Sequence, residues 1–314
     1  MDKELTIIAE PEELIAWADT FDILLNPSIE DAAILLNYME GHDYAIGIDS
    51  DGKMYRQDIA EENGIPVLVH QNINSDDFLE LIALYHADLF VSMSFNQIFR
   101  ERIINTPKLK TINCHAGKLP YYRGRNILNW ALINDEKEYG ITVHYVDNGI
   151  DTGDIILQRT YPITDDDNYA TLLARAYLDC ADILYDAVKM IQNGSIVTIR
   201  QNEIHTVGFY CGIRGIDDEI INWNQTSREI FNFVRAICNP GPMARTYIGD
   251  KELKINRVKM ISDAPVYKHT VGMIVGKTPT SFIVKTSDTT IEVVEYEYDG
   301  AIKIGDRLKS TRNV

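Results

Sequence analysis

The 314-residue chain predicts an α/β fold, with a mostly parallel sheet followed by a smaller β-barrel of OB-like kind. Three observations carry this. Short apolar runs of strand length alternate with helical patterns over the first two-thirds, the signature of strands joined by crossover helices. One long amphipathic stretch, 168–194, ends at Gly194. Beyond 239 there are only short β-like runs separated by turn signals, the pattern of a small barrel.

In chain order, LTIIAE (5–10) reads as a strand and DAAILLNYMEG (31–41) as a helix ending at a glycine. DYAIGID (43–49) and GIPVLV (64–69) read as strands. SDDFLELIALYHA (75–87) starts with a serine cap and an acidic first turn, so a helix is expected. DLFVSMSF (88–95) and LKTINCH (109–115) have the length and apolarity of buried strands, and GITVHYV (140–146) alternates in part. The stretch 200–223 reads as a linker, NQTSREIFNFVRAI (224–237) as a helix and NPGP (239–242) as a breaker. Five barrel strands follow: ELKINRVKMI (252–261), TVGMIVGK (270–277), SFIVKTS (281–287), TIEVVEYEY (290–298) and GDRLK (305–309). The expected organisation is an α/β domain over 1–200, a linker and helix over 201–238, and a β domain over 239–314.

Composition narrows the function. Hydrophobic residues make up 45 % of the chain, an ordinary share for a globular protein. The longest apolar runs, such as ADLFVSM (87–93), fall far short of a bilayer span, so no membrane partner is expected. MDKELTIIAEPEEL lacks a basic n-region and a long apolar segment and reads as mature protein, not a signal peptide. The four cysteines, Cys114, Cys180, Cys211 and Cys238, form no CxxC pair, which argues for reduced thiols and a cytoplasmic setting. A net charge of −17, with no long Lys/Arg stripe, weighs against nucleic acid as a partner.

The stretch NCHAGKLPYYRGRN (113–126) carries the chemistry. Asn113 and His115 stand two apart, so an extended chain points both to one face. Asp151 lies in the Gly- and Asp-rich loop VDNGIDTGD (146–154). If GITVHYV neighbours the strand before Asn113, the two loops meet at one sheet edge. An amide donor, an imidazole and a carboxylate to orient it are what acyl transfer to an amine requires. The amide stabilises an oxyanion, and the imidazole moves protons near neutral pH. The plainer alternatives are a structural histidine and an aspartate that only forms a turn. His144 could pair with His115 on a metal, but no cysteine or third ligand accompanies them, so no metal is expected.

The segment NCHAGKLPYYRGRNILNWALINDEKEYGITVHYVDNGIDTGDII resembles the signature of the folate-dependent formyltransferases. Asn113, His115, Leu119, Pro120, Tyr122, Arg123, Gly124, Gly140, Thr142, Asp147, Gly149, Asp151, Thr152 and Gly153 stand where that pattern wants them. INWNQTSREIFNFVRAI (221–237) resembles the segment entering the family's C-terminal barrel, while the front, MDKELTIIAEPEEL, departs from it in lacking a glycine turn. The resemblance implies a Rossmann-like N-terminal domain and N10-formyltetrahydrofolate as co-substrate. It implies that Asn113 holds the formyl oxyanion, that His115 assists proton transfer, and that Asp151 orients His115. The folate is expected near Met93, Ser94, Phe95, Asp147, Gly149 and Ile150.

Within that family, GKLPYYRGRNILNWALINDE resembles the nucleotide-linked amino-sugar N-formyltransferases, through Lys118, Arg125, Asn126, Asn129 and Trp130. The expected acceptor is therefore the amine of a sugar nucleotide such as a dTDP-3- or 4-amino sugar, made for O-antigen or another surface polysaccharide. Tyr122, Arg123, Arg125, Asn126, Tyr210 and Arg214 are the candidate substrate residues, with Phe209, Tyr210 or Trp223 to stack a base. A homodimer is expected, as in related sugar enzymes. Methionyl-tRNA formyltransferase, a formyltetrahydrofolate hydrolase and a non-catalytic folate or nucleotide-sugar binder remain the alternatives.

Overall fold

The computed structural model describes residues 5–9, 32–37, 67–70, 72–93, 95 and 97–311. The expected strand at 43–49 and the atypical front outside 5–9 lie beyond these residues. The chain forms two compact units. One comprises Met1–Gly124, Gly140–Tyr161 and Ala174–Tyr210; the other comprises Arg125–Tyr139, Pro162–Leu173 and Cys211–Val314.

In the first unit, strands β1 (Leu5–Ala9), β2 (Ala32–Asn37), β3 (Val67–His70), β4 (Leu89–Met93) and β5 (Thr111–His115) pair in the order β3-β2-β1-β4-β5, all parallel. Chain order reverses at the β1/β4 boundary, the doubly wound arrangement that opens a crevice at the strands' carboxyl ends. Every residue of β4 is buried, as both faces of a parallel strand require. Helix α1 (Asp76–Ala83) follows the cap Ser75 and turns Phe78, Leu79 and Ile82 into a core shared with Phe90, Phe99 and Ile103.

The segment 31–41 is not the expected helix. Residues Ala32–Asn37 form β2, in register between β1 and β3. Six mostly apolar residues satisfy either period, and pairing on both sides decides for the strand.

The short β6 (Arg123–Gly124) precedes β7 (Glu138–Tyr145) and β8 (Ile155–Pro162), which extend the large sheet beyond β5. β7 runs antiparallel to β5, with Asn113 opposite His144 and His115 opposite Thr142. The long helix Tyr169–Gln192 is closed as its sequence predicts. Gly194 sits at φ +64, its N–H donates to Ile191 O, and Ser195 N–H donates to Met190 O. These two bonds cap carbonyls that the helix end leaves open.

The second unit holds a six-stranded antiparallel sheet that curls on itself. Bonds from Leu308 N–H to Gly272 O and from Ile274 N–H to Asp306 O link its two edges. Leu253, Ile255, Ile274, Phe282, Val284, Ile291 and Val293 are fully buried within it. The strand absent from the sequence reading is Ala244–Ile248, which pairs with Lys251–Met260 across a Gly249-Asp250 turn. Gly249 adopts φ +65 there, and a Gly-Asp pair between β-like runs is the hairpin signal that marks this strand.

The helix Ser227–Ile237 also belongs to the second unit. Thr226 accepts from Glu229 N–H, and the Glu229 carboxylate accepts from Thr226 N–H at 2.7 Å, a reciprocal cap. Thr226→Ala should therefore lower unfolding free energy by about 1 kcal/mol, read as a reduced urea midpoint.

Candidate active site

Three polar side chains share one face of the large sheet in the first unit. Asn113 and His115 are two apart on β5, and His144 stands opposite Asn113 on β7. Because β7 is antiparallel to β5, the loop 146–154 leaves it at the end away from His115. The expected meeting of two loops at one sheet edge is thus replaced by a fold-back. The loop returns across the face and sets Asp151 beside all three side chains.

The Asp151 carboxylate is only 13 % exposed. Oδ2 accepts from Gly124 N–H at 2.8 Å and lies 3.6 Å from His115 Nδ1. Oδ1 lies 3.6 Å from His144 Nε2 and 3.4 Å from Asn113 Nδ2. The imidazole separations are ion-pair distances, longer than hydrogen bonds.

Each imidazole uses its other nitrogen on a backbone carbonyl. His115 Nε2–H donates to Tyr122 O at 2.7 Å, and His144 Nδ1–H donates to Tyr145 O at 2.8 Å. Those bonds aim the second nitrogen of each ring at Asp151. The Asn113 amide nitrogen lies 3.3 Å from His144 Nε2, on the same face as Asp151.

Burial alone raises the carboxyl pKa of Asp151. The charges of His115 and His144 and the Gly124 amide outweigh it and hold Asp151 well below the usual carboxylate range. Asp151 is therefore an anion throughout the neutral range.

The loop is built to present this group. Asp147 Oδ1 accepts from Gly149 N–H at 3.0 Å and from the Thr152 hydroxyl at 2.5 Å. A Cβ on Gly153 would lie 1.8 Å from Tyr145 O, so only glycine lets the strands close there. Asp151 itself has φ +53, and Tyr122 has φ +57, a turn that accompanies the aim of its carbonyl at His115.

The other expected residues fall into distinct places. Tyr122 is buried, and its ring packs edge-on to Phe209 at 4.8 Å. Arg123 is buried too. Its guanidinium donates from Nε and Nη2 to Gln201 Oε1, at 3.0 and 2.6 Å, and lies over the Tyr210 ring. Tyr210 and Phe209 are exposed, at 56 % and 40 %. Met93 is buried, Phe95 is half-buried beside Phe99, and Ile150 is exposed; Ser94 lies outside the described residues.

In the second unit, Arg125, Asn126 and Arg214 come together. Arg125 N–H donates to Cys211 O, and Arg214 N–H donates to Asn126 Oδ1 at 2.9 Å. The Arg214 guanidinium lies against Trp130 and Phe233 and donates to Asp218 O. Trp223 is buried and donates to Thr246 Oγ1, which makes it a core residue, not a stacking surface. A cleft of about 340 Å³ beside the 146–154 loop, lined by Glu101, Lys110, Tyr145, Asp147 and others, touches none of Asn113, His115 or Asp151.

Two participants escaped the sequence reading. His144 was considered only as a metal ligand. Gln201, in the supposed linker, is 4 % exposed and contacts the Asp151 loop. No local pattern marks it, since its partners lie 48 to 78 residues away.

Two outcomes follow for the loop. Gly153→Ala should cost about 3 kcal/mol or more of stability, because backbone must move; urea denaturation measures it. For Asp151, the folded pKa lies below the unfolded one. The stability due to its ionised form is full above the unfolded value of about 4 and is lost as pH falls through the folded value. The stability difference between wild type and Asp151→Asn should therefore shrink from about pH 5 downward, in urea unfolding followed across pH.

Known proteins resemble this chain over most of its length. The family described as formyl transferase matches residues 48–188, and its C-terminal domain matches 216–306. A methionyl-tRNA formyltransferase of Pelotomaculum thermopropionicum is 33% identical over 249 residues, 79% of this chain and 78% of that protein. That of Streptococcus agalactiae serotype III is 34% identical over 252 residues, 80% of this chain and 78% of that protein. Among solved structures, WlaRD, a sugar 3N-formyl transferase studied with dTDP and 5-N-formyl-THF, has a TM-score of 0.68 at 22% identity, covering 96% of this chain and 100% of its own. An N-formyltransferase from Helicobacter canadensis, in complex with folinic acid and dTDP-3-aminofucose, has a TM-score of 0.66 at 24% identity, covering 94% and 100%. The first two likenesses run through most of both chains and include the Asn113, His115 and Asp151 segments; the chain belongs to the formyl transferase family and is a formyl-transferring enzyme.

Proposed function

We propose that the enzyme moves a formyl group from N10-formyltetrahydrofolate to the amine of a nucleotide-linked amino-dideoxy sugar, such as a dTDP-3- or 4-amino sugar. The observation that carries the acceptor class is the net charge of −17. A large RNA is held by many phosphate contacts, each needing a cation. A pyrophosphate needs one or two. Arg125 and Arg214, on neighbouring stretches of the second unit, are the cations proposed to meet it. The exposed rings of Phe209 and Tyr210 offer a nucleobase a stacking surface, with Tyr210 steadied by Arg123.

In this reading the Asn113 amide exchanges its long 3.4 Å contact with Asp151 Oδ1 for the oxygen of the formyl carbon and donates to it as the amine adds. The amine loses a proton as its C–N bond forms, and the folate nitrogen gains one as its bond to the same carbon breaks. His115, with its Nδ1 toward Asp151, relays that proton, and the ionised Asp151 stabilises the imidazolium between the two events. The backbone of Met93, Phe95, Asp147, Gly149 and Ile150 lines the folate side. Phe95 and Val146 bring apolar surface there, packed on the core that contains Phe99. The product would serve a surface polysaccharide, from a cytoplasmic homodimer.

The likeness to methionyl-tRNA formyltransferases at 33 to 34% identity favours methionyl-tRNA as the second reading. The two are separated by supplying N10-formyltetrahydrofolate with a panel of dTDP-, UDP- and GDP-linked amino sugars, or with methionyl-tRNA. Formylation of one sugar, seen by mass, is the expected result; formylation of methionyl-tRNA alone would overturn the acceptor assignment. His115→Ala and Asp151→Asn should each cut kcat by about 10²- to 10⁴-fold while leaving the fold's circular dichroism unchanged. Near-normal rates in either variant would remove that residue from the mechanism.

A further inference from the structure

Gln201 is a buried polar side chain in a stretch that reads as a linker, and its amide N–H groups are directed at the catalytic loop. Its Nε2 donates to Asp151 O and to Gly153 O, each at 2.8 Å, and its Oε1 accepts twice from Arg123. The orientation of the amide is forced. A guanidinium can only donate, and two carbonyls can only accept.

These contacts close a ring through the backbone. Arg123 grips Gln201, and Gln201 grips the carbonyls on either side of Thr152. Asp151 Oδ2 then accepts from Gly124 N–H, the residue next to Arg123. Asp151 sits at φ +53, a left-handed conformation that L-residues visit only as single residues with local support. The direction of its Cα–Cβ bond, and so the aim of the carboxylate, depends on that conformation being held. The groups facing the carboxylate are His115 from β5, His144 from β7, the Asn113 amide and the Gly124 N–H.

We infer that Gln201, locked by Arg123, is a positioning residue that aims Asp151 at His115 during formyl transfer. This rests on the role assigned to Asp151 above. Gln201 bonds to Arg123 and to the loop carbonyls and acts through the loop backbone. It also gives buried Arg123 a task in place of substrate contact. Only an amide serves both sides: glutamate would keep Arg123 but turn a carboxylate on two carbonyls, and leucine would strand all three partners.

The test reads the position of Asp151 without any substrate. In protein labelled with [15N]glycine, the Gly124 amide proton reports its charge-assisted bond to the carboxylate, and Asp151→Asn gives its resonance when that charge is lost. In Gln201→Glu the Gly124 resonance should move upfield by at least about half of the Asp151→Asn displacement. With N10-formyltetrahydrofolate and a dTDP-3-amino sugar, kcat should fall by about 10- to 100-fold, with the KM for folate changed less than about threefold. A Gly124 resonance unmoved in Gln201→Glu would overturn the proposal even if the variant were slow. Should Gln201→Glu fail to fold, Arg123→Lys keeps the cation but loses the two-pronged grip, and the same resonance must move in the same direction, or the proposal falls. Because the resonance needs no acceptor, inactivity toward dTDP-sugars would count against the acceptor assignment and leave this inference standing or falling on the Gly124 shift.

Discussion

The ionised carboxylate of Asp151, nearly removed from solvent between two imidazoles, is the interaction on which the rest of the site depends. A buried charge is tolerated only where charges and hydrogen bonds compensate its lost hydration. Here four groups from three separate segments do so: His115, His144, the Asn113 amide and the Gly124 N–H. Each imposes a condition elsewhere. His115 needs the Tyr122 carbonyl on its far nitrogen. A Cβ on Gly117 would lie 2.4 Å from that nitrogen and 2.5 Å from the carbonyl, so a glycine has to stand there. The fold-back of the loop needs Gly153 bare against Tyr145 O.

The sheet supplies rigidity and the loop supplies aim. Asn113, His115 and His144 ride on paired strands in fixed register, β5 in particular being bonded on both sides. Asp151 rides on a loop, which strands alone would leave loose. Its internal turn around Asp147 and its tether to Gln201 give it the order of a strand without the pairing. Side chains on rigid elements with supported neighbours keep the sub-ångström placement that transfer chemistry needs.

The relatives named for methionyl-tRNA and the solved structures named for amino sugars are alike to this chain in different measures, sequence in one case and fold in the other. Both are compatible with one formyl-transfer centre, because the chemistry at the formyl carbon is the same whichever amine attacks. Acceptor choice lies outside that centre, and the acidity of the chain bears on that choice alone.

The amino-acid sequence by itself determined the fold class, the long helix with its Gly194 stop, a helix within 224–237 and the Asn113, His115 and Asp151 candidates. Those features rest on local period, capping chemistry and short spacing, which neighbouring residues encode. The strand at 32–37 was decided by pairing on both sides, since six mostly apolar residues suit helix and strand alike. The antiparallel turn of β7, which makes His144 a partner of Asn113, and the burial of Arg123 against Gln201 belong to tertiary structure. Their partners lie tens of residues apart, and a hydrogen bond between such residues leaves no periodic trace in a single sequence.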